Sequence, residues 1–96
     1  MKVVFSEEAD SDLLQIHAYL AARNRSAAIS LANLFNIKLE ALGRFPFIGR
    51  ARPIFAAELR SIIVEKYVVF YRVESDRVLI VRVLDGRRDI EAEFER

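Results

Sequence analysis

The stretch from Phe45 to Ala57 separates two halves of different periodicity, and this division constrains the fold more than any other feature. Pro46, Gly49 and Pro53 interrupt it, so no helical or strand repeat crosses it. Before it, apolar residues recur at helical spacing. After it come three runs rich in β-branched and aromatic residues. Helices gathered in one half and strands in the other make an α+β chain, with the helices on one face of an antiparallel sheet.

The helical half begins after a short strand, Lys2 to Phe5. Ser6 is placed to cap a helix, with Glu7 and Glu8 in the first turn, where the helix dipole favours acids. Ala9, Leu13, Ile16 and Leu20 follow at intervals of four, three and four, so the first helix runs from about Glu7 to about Arg23. Asn24-Arg25 make a break and Ser26 caps a second helix. Its stripe is Ala28, Ala32, Phe35, Leu39 and Leu42, with Leu31 beside it. Gly43 fits the position just past the helix end, and Pro46 follows it. A link this short folds the two helices into an antiparallel hairpin.

The strand half reads as Leu59 to Val64, Tyr67 to Glu74 and Arg77 to Leu84, an antiparallel meander. Ser75-Asp76 is a two-residue turn, which sets Glu74 opposite Arg77, an opposite-charge pair that supports this register. Counting from that turn, one face carries Val68, Phe70, Arg72, Leu79, Val81 and Val83. The other carries Tyr67, Val69, Tyr71, Val73, Val78, Ile80, Arg82 and Leu84. Both faces are apolar, and one helical hairpin covers only one of them. The second is expected to await a partner, because the twelve residues after Leu84 are too few to cover a sheet. Arg82 is placed either at the sheet's end or against a helix acid such as Asp12.

Composition adds to the same expectation. Residues 1–96 are read as a single domain, and 53% of them are hydrophobic, above the ~45–50% usual for soluble domains. So small a body cannot hide that much apolar surface, and large exposed apolar patches mark interaction sites. A net charge of +1 gives no field to drive sequence-specific nucleic-acid binding. Twelve of the fifteen cations are Arg, whose planar fork pairs with carboxylate or phosphate. From Arg44 to Arg60 four Arg stand against the single acid Glu58, a local charge of +3.

With no cysteine, a lone His17 and no ligand spacing, no metal or cofactor is expected. The N-terminus does not read as a signal peptide, and no apolar run approaches the ~18 residues that span a membrane. A cytoplasmic protein is expected. Tyr67 and Tyr71 are read as packing residues, as strand tyrosines usually are.

Several segments, taken in order, resemble one family. They are Val4-Phe5-Ser6 with Glu8-Ala9 and Asp12-Leu13, and Pro46 with Gly49-Arg50. Leu59-Arg60-Ser61, the run Tyr67 to Val73, and Arg82 to Ile90 complete the set. The order and spacing are similar to those of the RelE/ParE toxins of type II toxin–antitoxin systems, over nearly the whole chain. The resemblance implies a β-α-α-β-β-β fold and a toxin silenced by direct binding of an antitoxin.

The family has two branches. RelE-like members are ribosome-dependent mRNA endoribonucleases, whereas ParE-like members inhibit DNA gyrase without an established catalytic residue of their own. The nuclease branch carries basic residues at positions matching Ala56, Glu58, Val68 and Arg88 and a tyrosine matching Phe94. This chain keeps only Arg88 of that set, so the ParE branch is expected and no catalytic residue is assigned. The nuclease, or a ParE fold with another target, stays as the alternative.

The resemblance places target contacts in the C-terminal part, with Arg87, Arg88, Asp89 and Phe94 as candidates. A ParD-like antitoxin, forming a hetero-oligomer with the toxin, would lay a helix along the hairpin at Leu13 and Leu20. It would set apolar residues in the open face at Val68, Phe70 and Val81, with its acids on Arg50, Arg52, Arg60 or Arg72. Phe94 is expected to anchor a short, mobile C-terminal segment on the core.

Overall fold

The computed structural model describes residues 1–95. Its elements, in chain order, are β1 (Lys2–Phe5), α1 (Glu7–Arg23), α2 (Arg25–Arg44), β2 (Arg50–Ala51), β3 (Arg60–Val64), β4 (Tyr67–Val73), β5 (Arg77–Asp85) and α3 (Ile90–Phe94). The α+β reading holds, with the strand, helical hairpin and meander where they were expected. The sheet is larger than the meander: five strands in the order β1-β5-β4-β3-β2. β1 lies parallel to β5, pairing Lys2 with Arg77 and Phe5 with Ile80. Arg50 and Ala51, in the stretch read as irregular, form a two-residue edge strand against Ser61 and Arg60.

The helix ends follow local chemistry with two corrections. Ser6 caps α1 as expected, its Oγ accepting from the Ala9 N–H at 3.0 Å. Asn24, and not Ser26, caps α2, because its side-chain oxygen accepts from the Ala27 N–H at 3.1 Å. Gly43 lies inside α2 rather than beyond it. The Met1 carbonyl crosses it so closely that a Cβ there would sit 2.7 Å from that oxygen. The glycine thus serves a close approach of β1, not a helix stop.

The turn between β4 and β5 sets the predicted register, with Val73 opposite Val78 and the Glu74 N–H donating to the Arg77 carbonyl. That register does not persist. Tyr71 pairs with Ile80, but Phe70 pairs with Arg82, so Val81 is an extra residue, a β-bulge. The bulge flips the rest of β5. Val83 turns to the helix side, with Ala9, Phe35, Leu42, Val69, Tyr71 and Ile80. Leu84 turns to the other side, with Leu59 and Phe70. Both residues therefore occupy the face opposite to the one counted from the turn.

The second face is not open over its centre. Phe70 and Leu84 are fully buried beneath Phe55, Ile90 and Phe94, supplied by the loop before β3 and by α3. Phe94 stacks on Phe55 at 5.5 Å between ring centroids and meets Phe70 edge-on at 4.9 Å. The closure comes from few residues. Helped by Phe55, one short helix with two apolar side chains covers enough. No helix among the described residues is long and apolar enough to cross a membrane.

Candidate functional site

The first surface is a groove along the helical hairpin. Leu13, Ile16 and Leu20 of α1 face Leu31, Phe35 and Leu39 of α2 around a cavity of about 200 Å³, with Phe5 of β1 at its margin. Among the described residues, the polar side chains lining it are His17 and Asn36. The helical period that built the hairpin also builds the groove, since both stripes are wider than their mutual contact needs. A recess of this kind fits the apolar face of another helix.

The second region is the end of β5 and the short α3. Asp12 of α1 is buried, and both of its oxygens accept from the Arg82 guanidinium, at 2.9 and 3.0 Å. It accepts the Val83 N–H as well, at 2.9 Å. Bonding to Asp12 holds the Arg82 pKa above its ordinary value. Arg82 also reaches Glu93 at 3.3 Å, and Arg88 binds the other Glu93 oxygen at 2.6 Å. Asp89 caps α3 by accepting the Ala92 N–H. Arg87, three-quarters exposed, grips Asp85 through its side chain and its own backbone N–H, and these bonds lower the Asp85 pKa to about 2.

The third region is the loop from Arg44 to Arg52. Tyr71, buried in the sheet, accepts the Gly49 N–H and donates to the Pro46 carbonyl, both at 2.8 Å. Burial raises the Tyr71 pKa, although the Gly49 N–H and Arg60 act against it. A Cβ at Gly49 would collide with the Tyr71 ring, so only glycine lets the loop pass. Arg60 donates to the carbonyls of Phe47 and Gly49, at 3.3 and 2.9 Å. Fixed from beneath, the loop turns Phe45, Phe47 and Ile48 outward, 60%, 64% and 58% exposed. Arg52 lies over Phe55 and Phe70 and donates to the Ser61 hydroxyl.

With this geometry in place, comparison with known proteins decides the family. The sequence model described as "ParE toxin of type II toxin-antitoxin system, parDE" matches residues 3–90. The chain belongs to the ParE toxin family. Toxin ParE3 of Caulobacter vibrioides is 33% identical over 73 residues, which are 74% of this chain and 73% of that protein. A chain of the solved "Chromosomal ParDE TA system from P. aeruginosa" superposes with a TM-score of 0.73, covering 86% of this chain and 92% of its own. At 19% identity that likeness speaks for the fold alone.

Within this family fold the expected site residues fall into separate places. Leu13 and Leu20 line the hairpin groove. Val68, Phe70 and Val81 belong to the cluster beneath Phe94, so the face expected to be open is closed there by the chain itself. Arg72 is exposed and paired with Glu74 at 3.6 Å. Arg50 is exposed on β2, Arg60 binds the loop from beneath, and Arg52 donates to the Ser61 hydroxyl on β3. Arg88, Asp89 and Phe94 all hold α3 in place, and Arg87 braces the turn before it. The exposed Phe45, Phe47 and Ile48 were not singled out from the sequence. The surplus of apolar residues announced an exposed patch, but nothing in the spacing gave its position.

Proposed function

We propose that this protein is the toxin of a type II pair, silenced by an antitoxin helix in the hairpin groove and active as a gyrase inhibitor when free. The observation that carries the first part is the groove itself, apolar on both walls and sized for a row of side chains. The ParDE system that shares the fold supports the antitoxin as its occupant. The toxin would contribute no catalytic residue. Val68, matching a basic position of the nuclease branch, is packed in an apolar cluster, and Phe94, matching its tyrosine, stacks on Phe55 and Phe70. These roles favour inhibition by binding over RNA cleavage.

The test runs in parallel on gyrase supercoiling and on programmed ribosomes with mRNA. Wild-type toxin is expected to block supercoiling, with the cognate antitoxin restoring it. The Leu20→Asp variant should bind the antitoxin at least tenfold more weakly, because a carboxylate in a desolvated apolar groove has no partner. Codon-spaced mRNA cuts with supercoiling untouched would refute the gyrase reading and leave the antitoxin reading to the binding data.

A further inference from the structure

We infer that the clamped loop, presenting Arg44, Phe45, Phe47, Ile48 and Arg50, is the surface by which the protein meets its target, and that the matching surface is a folded protein face with carboxylates beside apolar side chains. This inference rests on the toxin reading but not on gyrase as the target. Three observations converge on it.

The first is charge. Arg72, Arg77, Arg82, Arg87 and Arg88 each have a carboxylate partner within the chain. Among the described residues the exposed Arg44 and Arg50 have none, as is also true of Arg23 and Arg25 between the helices, and Arg44 and Arg50 flank the exposed Phe45, Phe47 and Ile48. Guanidinium groups left without an internal acid beside three outward apolar side chains complement an acidic, apolar-edged face.

The second is rigidity. Tyr71 and Arg60 fix the loop backbone at Pro46, Phe47 and Gly49, so its side chains are displayed before any partner arrives. A preformed surface loses little freedom on docking with another preformed surface. An antitoxin tail that folds on binding needs no such preparation, and the hairpin groove already suits it.

The third is displacement of the alternative. Arg82, Arg88 and Phe94 are engaged in seating α3 and Arg87 in holding Asp85, so these residues already serve the chain's own fold. Nucleic acid is the weaker occupant, since the chain's net charge is only +1 and Ile48 offers a phosphate backbone nothing.

The experiment compares wild type with Arg44→Glu/Arg50→Glu and with Phe47→Ser. Toxicity is read as colony counts after induction, and affinity for the cognate antitoxin by calorimetry. All three positions are exposed, and thermal melts confirm folding. Both variants are expected to raise survival by a hundredfold or more while binding antitoxin within threefold of wild type. Phe47→Leu, which keeps an apolar anchor, should stay toxic. Undiminished killing by the two variants would overturn the inference. So would a tenfold loss of antitoxin affinity in them, which would give the loop to the antitoxin. Binding of a labelled 12-nucleotide oligo-dT by wild type, lost in Arg44→Glu/Arg50→Glu, would overturn it in favour of nucleic acid. A wild type that does not inhibit growth would refute the toxin reading, and with it this inference.

Discussion

The arginines at the two ends of the chain's second half do opposite things. Around β5 and α3, each described arginine is tied to a carboxylate, and the ties hold a helix of five residues that could not stand alone. Around the loop before β3, Arg60 holds backbone carbonyls from beneath, while Arg44 and Arg50 face outward without an acid among the described residues. The same residue type is a staple in one region and an available contact in the other. The difference lies in where the acids are: Asp12, Asp85 and Glu93 all converge on the first region.

If the comparison is right, removing a staple should matter most. Asp12→Ala leaves Arg82 with only Glu93 and frees the Val83 N–H, and is expected to destabilise the fold by about 3 kcal/mol in urea titrations. A loss under 1 kcal/mol would mean that the network is surface decoration. Phe94→Ala removes the ring that seals Phe70, for a loss of about 2 kcal/mol and faster proteolysis at the C-terminal end. An unchanged cleavage pattern would show that the salt bridges alone hold α3.

Smaller effects sharpen the loop side. Tyr71→Phe leaves the Gly49 N–H and the Pro46 carbonyl without their partner and should destabilise by about 1.5 kcal/mol. Faster amide exchange at Gly49 would accompany it, whereas protection equal to wild type would mean that Arg60 is the sole clamp. The smallest effect concerns Asp85, whose pKa is lowered to about 2 chiefly by its hydrogen bonds from Arg87. A lowered carboxylate stabilises the fold fully above its unfolded value near 4 and loses that contribution as pH falls towards 2. In Arg87→Ala the Asp85 titration, followed by NMR, should move upward towards the ordinary range. A midpoint that stays put would assign the shift to the backbone N–H of residue 87 and to Lys66 instead.

Much of this was legible in the sequence. The limits of α1 and the turn at Ser75-Asp76 follow from capping residues and spacing, and Asp12 was one of two placements offered for Arg82. The bulge at Val81 was not legible, because Val78 to Leu84 is apolar at nearly every position and either phase of alternation reads equally well. α3 escaped for a different reason. Its helix depends on Phe94 meeting Phe70 and on Glu93 meeting two arginines, long-range contacts that leave no periodic signal. Gly43 was misread because a helix stop and a close crossing both call for glycine. The groove was half visible: its stripes were plain, but which side they would leave uncovered was not.

The parallel pairing of β1 with β5 has a consequence for the order in which the molecule assembles. Lys2 finds its partner 75 positions later, at Arg77. Contacts that distant form late, since a long loop must close before they reward the chain. During synthesis the hairpin of α1 and α2 is complete while β1 still lacks its partner strand. Phe5, at the end of β1, borders the hairpin groove. The recess is therefore finished only when nearly the whole polypeptide has emerged, so the groove proposed for the antitoxin is incomplete on the nascent chain.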